Sequence, residues 1–180
     1  MLKSPENLGV IHFIGIGGIG MSGIAEILFQ SGYNVQGSDI TDGNNTNRLK
    51  KLGIKVYIGQ KKSNILNAKL VVVSTAISPK NIEYMTAKKM FLPVVHRSEM
   101  LGELMRLKQS IAIAGTHGKT TTTSLIAKMI EENGMDPTII NGGIISSLDS
   151  NAKLGNGEWM VVEADESDGS FAKLNPTVAI

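Results

Sequence analysis

The sequence predicts an α/β protein made of two consecutive parallel-sheet units, and two observations carry that prediction. Short β-branched runs alternate with stretches of helical periodicity along the chain. Twice, such a run passes through a glycine-rich turn straight into a helix: VIHFIGIGGIGMSGIAEILFQSG from Val10, and IAIAGTHGKTTTTSLIAKMI from Ile111.

Composition narrows the field before any motif is weighed. The 180 residues carry 18 basic and 16 acidic side chains, interspersed, for a formal charge of +2, so there is no basic tract for nucleic acid and no acidic tail. Any anion binding must be local. There is no cysteine, which excludes disulfides, a thiolate nucleophile and cysteine metal sites. No apolar run is long enough to cross a bilayer, and the start MLKSPENLGV has no signal-peptide core, so the cytoplasm is the expected location.

In chain order, the first strand is Val10 to Ile14, and a helix follows from Ile19, closed near Ser31 by Gly32. Between them Gly15, Gly17 and Gly20 satisfy GxGxxG, with Gly18 as an extra glycine. Gly15 suits the turn, Gly17 a close approach to a diphosphate, and Gly20 tight helix-to-strand packing. A strand over Asn34 to Ser38 delivers Asp39 to its carboxyl end, where dinucleotide folds hold a ribose. An NAD site is one reading of that pattern, and a structural glycine turn is another.

The alternation continues with a helix over 45–52 closed by Gly53, a strand over 55–57 and a buried strand over 70–74. Thr75 and Ala76 follow that buried strand, at the end where open α/β sheets receive ligands. A helix over 81–89, a strand over 93–95 and a helix over 98–107 with Ser98 as its cap complete a Rossmann-like, doubly wound unit of five strands, set at 1–107. His12 reads as a packed or edge-exposed strand residue rather than a catalytic one, and His96 and Arg97, which follow a strand end, read as surface ion-pair partners with a ligand contact as the alternative.

The second unit, 108–180, opens on the phosphate loop. Gly115 and Gly118 let the backbone approach phosphate oxygens, Lys119 adds a positive charge, and Thr120 offers a hydroxyl to magnesium. The spacing is shorter than the standard GxxxxGK[ST]. Leu125, Ile126, Met129 and Ile130 are expected to form the buried stripe of the helix, which ends at Asn133 and Gly134. A strand near 138–140 leads into Asn141, Gly142 and Gly143, and 146–156 reads as a polar, turn-rich loop. The apolar strand from Trp159 ends in Glu163, the preferred magnesium ligand, with Asp165, Glu166 and Asp168 as competitors. Residues 177–180 read as a further strand, so the chain is expected to be a fragment cut within its second unit.

Taken together, GIGGIGMSGIAE, GSD at 37–39, RSEMLGELMR at 97–106, AGTHGKTTTT at 114–123, NGG at 141–143 and EADESDGSF at 163–171 resemble the Mur ligase family over essentially the whole chain. The resemblance is to the branch that couples L-alanine to UDP-N-acetylmuramate. It implies that Gly15, Gly17, Gly18 and Gly20 hold a UDP diphosphate, with Asp39, Thr75 and Ala76 near the uridine. It implies an ATP site over Gly115, Thr116, His117, Gly118, Lys119, Thr120 and Thr121, with Lys119 acting in phosphoryl transfer and Thr120 and Glu163 on Mg2+. The implied chemistry is amide formation through an acyl phosphate. In the family a further histidine and an amino-acid-binding domain lie beyond the equivalent of Ile180, so this chain is expected to bind the UDP-sugar without ligating it.

Overall fold

The computed structural model describes residues 4–145, 150–164 and 174–180. The acidic stretch with Asp165, Glu166 and Asp168 lies outside them. The chain divides into two compact units, 1–97 and 98–180. The division falls at the start of the helix at residue 97, ahead of the 107/108 boundary read from the sequence.

The first unit opens with a short helix, α1 (Pro5–Leu8), then β1 (Val10–Ile14), α2 (Ile19–Gln30), β2 (Val35–Asp39), α3 (Asn44–Lys51), β3 (Lys55–Ile58), a 3-10 turn (Lys62–Ile65), β4 (Ala68–Val73), α4 (Ile82–Lys89) and β5 (Val94–His96). Its sheet runs β3-β2-β1-β4-β5, every neighbouring pair parallel. This is the predicted doubly wound order. β1 lies at the centre, and the chain leaves it for β2 on one side and reaches β4 on the other. The glycine loop after β1 therefore sits at the point where the strand order reverses, the place such sheets offer to ligands.

Central position explains why β1 is buried on both faces. Ile11, Phe13 and Ile14 are fully buried, and Ile14 packs with Ile65, Val71 and Ala87 on the α4 side. Helix ends follow local chemistry. Gly32 (φ +89°) and Gly53 (φ +100°) end α2 and α3 in the left-handed region, and the Asn81 side chain caps α4 by accepting from the amides of Glu83 (2.9 Å) and Tyr84 (3.1 Å).

In the second unit, α5 (Arg97–Met105) begins one residue before Ser98, which is buried inside the helix rather than capping it. β6 (Gln109–Ile113), α6 (Lys119–Glu132), β7 (Thr138–Ile145), β8 (Ser150–Lys153), β9 (Trp159–Glu163) and β10 (Val178–Ala179) follow. The sheet order is β10-β6-β9-β7-β8, parallel except for the antiparallel β7–β8 pair.

Two expectations are corrected here. The sequence reading made 146–156 a loop, yet Ser150–Lys153 is a strand with Ser150, Asn151 and Ala152 buried against β7. Its polar side chains find partners that composition does not reveal: the Ser150 hydroxyl accepts from the Ala152 amide (3.1 Å) and the Asn151 side-chain amide donates to the Asn141 carbonyl (3.5 Å). In α6, Ile126 and Ile130 pack on Ile113, Ile139 and Val161, but Leu125 and Met129 are 60% and 67% exposed. The small residues Thr123 and Ala127 take the sheet-facing positions instead, allowing the helix to lie close to the strands.

Candidate functional site

The glycine loop of the first unit is shaped by its neighbours on both sides. Gly15 has φ +78°, a conformation other residues rarely adopt. A Cβ there would lie 3.2 Å from Ile77 Cδ1. Ile77 belongs to the turn after β4 that carries Thr75 and Ala76, both exposed, so that turn borders the loop. On the β2 side, the carbonyl of Ser38 accepts from the amides of Gly15 (2.8 Å) and Ile16 (2.9 Å). Asp39 Oδ2 accepts from the Gly17 amide at 2.8 Å. The structure thus brings Asp39, Gly15, Gly17 and the 75–76 turn together.

Two details depart from the simplest reading of GxGxxG. The Gly17 amide is committed to Asp39, and a Cβ on Gly17 would lie 2.9 Å from both Asp39 Oδ2 and Thr46 Cγ2, so glycine is required by side chains as well as by any ligand. At Gly20 a Cβ would meet Arg97 Nη1 at 2.9 Å, so the missing side chain makes room for a guanidinium rather than for a strand. Met21 and Ser22 donate to the Gly18 carbonyl at 3.0 and 2.8 Å, the ordinary start of α2.

In the second unit the loop after β6 turns on two glycines. Gly115 (φ +131°) and Gly118 (φ +79°) hold conformations open to glycine, and Gly118 is the residue from which α6 begins. Thr116, His117, Gly118, Thr120 and Thr121 are exposed. The Lys119 ammonium folds back to donate to the Gly115 carbonyl. Glu163, at the carboxyl end of β9, accepts on Oε2 from the Thr120 hydroxyl (2.9 Å) and from the Gly142 amide (2.8 Å).

The Asn-Gly-Gly stretch, to which sequence reasoning gave no task, sets this geometry. Buried Asn141 donates to the Ser124 hydroxyl (2.9 Å) and the Thr120 carbonyl (3.3 Å), tying β7 to the first turn of α6. A Cβ on Gly142 would fall 2.5 to 2.7 Å from the Glu163 carboxyl atoms, and one on Gly143 would fall 3.1 Å from Thr120 Cγ2. The signal was legible as two adjacent glycines in a strand, which mark a close approach.

A hydroxyl and a carboxylate oxygen meeting beside a lysine at a helix N-terminus fit a hard divalent cation shared with phosphate oxygens. Among the described residues no group of three or more His, Asp or Glu side chains gathers as a self-sufficient metal cage. None of their helices is long and apolar enough to cross a membrane.

Comparisons with known proteins place the chain among relatives. Residues 10–109 match the Mur ligase family, catalytic domain. The chain is 62% identical over all of its length to the UDP-N-acetylmuramate–L-alanine ligase of Parvibaculum lavamentivorans and 60% identical to that of Rhodospirillum rubrum, spanning 37% of each. Among solved structures, the UDP-N-acetylmuramate-alanine ligase of Thermotoga maritima superposes with a TM-score of 0.89 at 35% identity, over 95% of this chain and 40% of that one. The UDP-N-acetylmuramate:L-alanyl-gamma-D-glutamyl-meso-diaminopimelate ligase of Neisseria meningitides superposes at 0.88 with 28% identity, over 96% and 59%.

Proposed function

The chain belongs to the Mur ligase family, and from that premise we propose that it forms the UDP-N-acetylmuramate-binding unit and part of the ATP-binding unit of a ligase that joins L-alanine to UDP-N-acetylmuramate. The observation that carries this reading is the convergence of Lys119, Thr120 and Glu163 at the start of α6. An NAD-binding redox domain, the other reading of the first glycine loop, has no use for a second phosphate loop. The identity of 62% to an L-alanine ligase supports the same choice.

Each residue then has a task. Gly15, Gly17, Gly18 and Gly20 receive the diphosphate where α2 begins, and Asp39 with the Thr75–Ala76 turn borders the nucleoside. Lys119 exchanges the Gly115 carbonyl for phosphate oxygens of ATP, and its charge offsets the charge that develops as the γ-phosphoryl group moves to the lactyl carboxylate. Gly115, Thr116, His117, Gly118 and Thr121 line the same loop. Thr120 and Glu163 would hold Mg2+, which would supply charge neutralisation to the phosphates. The amine of L-alanine then attacks the acyl carbon of the resulting acyl phosphate, phosphate leaves as the acyl C–O bond breaks, and the amide forms with loss of the amine proton; the L-alanine site is assigned to no residue of this chain.

Isothermal titration of the 180-residue chain with UDP-N-acetylmuramate, with NADH as control, tests the assignment. Binding of the UDP-sugar and not NADH is expected. Binding of NADH alone would sink the ligase reading.

A further inference from the structure

Below the glycine loop lies a polar cluster that the proposed chemistry does not use. Glu83 of α4 is 0% exposed, as is His12 of β1. Glu83 Oε2 accepts from His12 Nε2 (3.1 Å) and the Ser38 hydroxyl (2.5 Å), and Oε1 from Asn64 Nδ2 (2.6 Å) and the Lys61 amide (3.1 Å). The Gln36 amide nitrogen fixes the orientation of the ring. It donates to the Asn64 carbonyl (2.7 Å) and to His12 Nδ1 (3.2 Å), so the ring N–H that faces Glu83 is on Nε2.

Four donors converge on one carboxyl group, and of these partners only the Ser38 hydroxyl also has lone pairs that could accept, so the set matches a carboxylate. Such an arrangement is costly to bury and contributes nothing obvious to packing, which directs attention to what it holds. Ser38 is the link. Its hydroxyl is fixed by Glu83, its carbonyl takes the amides of Gly15 and Ile16, and its neighbour Asp39 takes the amide of Gly17. Two consecutive residues at the end of β2 thus hold three consecutive amides of the loop.

We propose that Glu83 is a positioning residue for the glycine loop, a buried carboxylate that clamps Ser38 and so sets the loop backbone that receives the diphosphate of the UDP-sugar. The ligand half of this inference rests on the function proposed above; the mechanical half does not. Asn64 and Lys61 bring the 3-10 turn region to the same carboxylate, so the clamp joins β1, β2, α4 and that turn around one charge.

The test compares Glu83→Gln and Ser38→Ala with the unaltered chain. Glu83→Gln places an amide NH2 against two existing donors and can unfold the unit; Ser38→Ala removes only the hydroxyl link. In Ser38→Ala the backbone amide resonances of Gly15, Ile16 and Gly17 are expected to shift while those of Gly32 and Gly53, distant glycines of the same unit, stay in place. Cooperative unfolding is expected to persist, and affinity for UDP-N-acetylmuramate to fall about tenfold. Wild-type loop resonances with wild-type affinity in Ser38→Ala would overturn the proposal, and so would shifts spread evenly through the unit. If the unaltered chain binds no UDP-sugar, the functional reading fails instead, and the amide shifts, measured without ligand, still decide whether the clamp sets the loop.

Discussion

The hydroxyl of Thr120, in the first turn of α6, donates to Glu163 Oε2 at 2.9 Å across 43 residues of sequence. Two oxygens from separate elements are therefore held at the spacing from which one cation could be shared. Glu163→Gln keeps the size of the side chain and removes its charge. On the proposed function, any gain in ATP affinity with magnesium is expected to be lost in this variant, while the melting temperature stays near the unaltered value, since the pair is exposed. Titrations of ATP with and without magnesium check this. An unchanged magnesium effect would move the metal ligand elsewhere.

Gly142 leads to a related expectation by a different route. The Cβ of Gly142→Ala would overlap the Glu163 carboxyl group, so the carboxylate has to leave the Gly142 amide and Thr120 together. The variant should lose the magnesium effect with little loss of stability, because the atoms displaced are the end of a flexible side chain beside an exposed residue. Chemical denaturation beside the same titrations checks both expectations.

In the first unit, Gly17→Ala inserts a methyl against Asp39 and Thr46. Affinity for UDP-N-acetylmuramate is expected to fall at least about tenfold, with ATP binding unchanged. Equal losses at both ligands would indicate general unfolding rather than a local loop effect.

The Glu83 carboxyl is driven up by burial, but hydrogen bonds from His12, Ser38 and Asn64 outweigh that and hold it below the ordinary glutamate value. A group with a lowered folded value contributes stability that is fully present above its unfolded value, about 4.3. The contribution disappears as the pH falls through the lowered value. Unfolding free energy should therefore decline on acidification below that range, and the Glu83→Gln chain, where it folds, should lack this component. The difference between the two curves is the measurement to make, because Asp42, Glu132 and Asp136 are also lowered by their hydrogen bonds and contribute to both.

The sequence by itself determined the fold class, both strand–loop–helix junctions and most element boundaries. Glycine, β-branched runs and helical periodicity act locally, so Gly32, Gly53, Gly118 and Gly134 end or begin helices where their neighbours alone say they should. The loop residues Lys119 and Thr120 were legible for the same reason. Only the tertiary structure decided which distant groups meet. It put the Gly142 amide on Glu163 and Asp39 on the Gly17 amide, placed Arg97 over Gly20, made a strand of Ser150–Lys153, and turned Leu125 and Met129 outward. It also gathered His12, Gln36, Ser38, Asn64 and Glu83 into one buried network from four separate elements of the chain. Each of these depends on sheet order and register, which bring residues together through pairings of strands far apart in sequence. No local pattern of residue types encodes a contact of that kind.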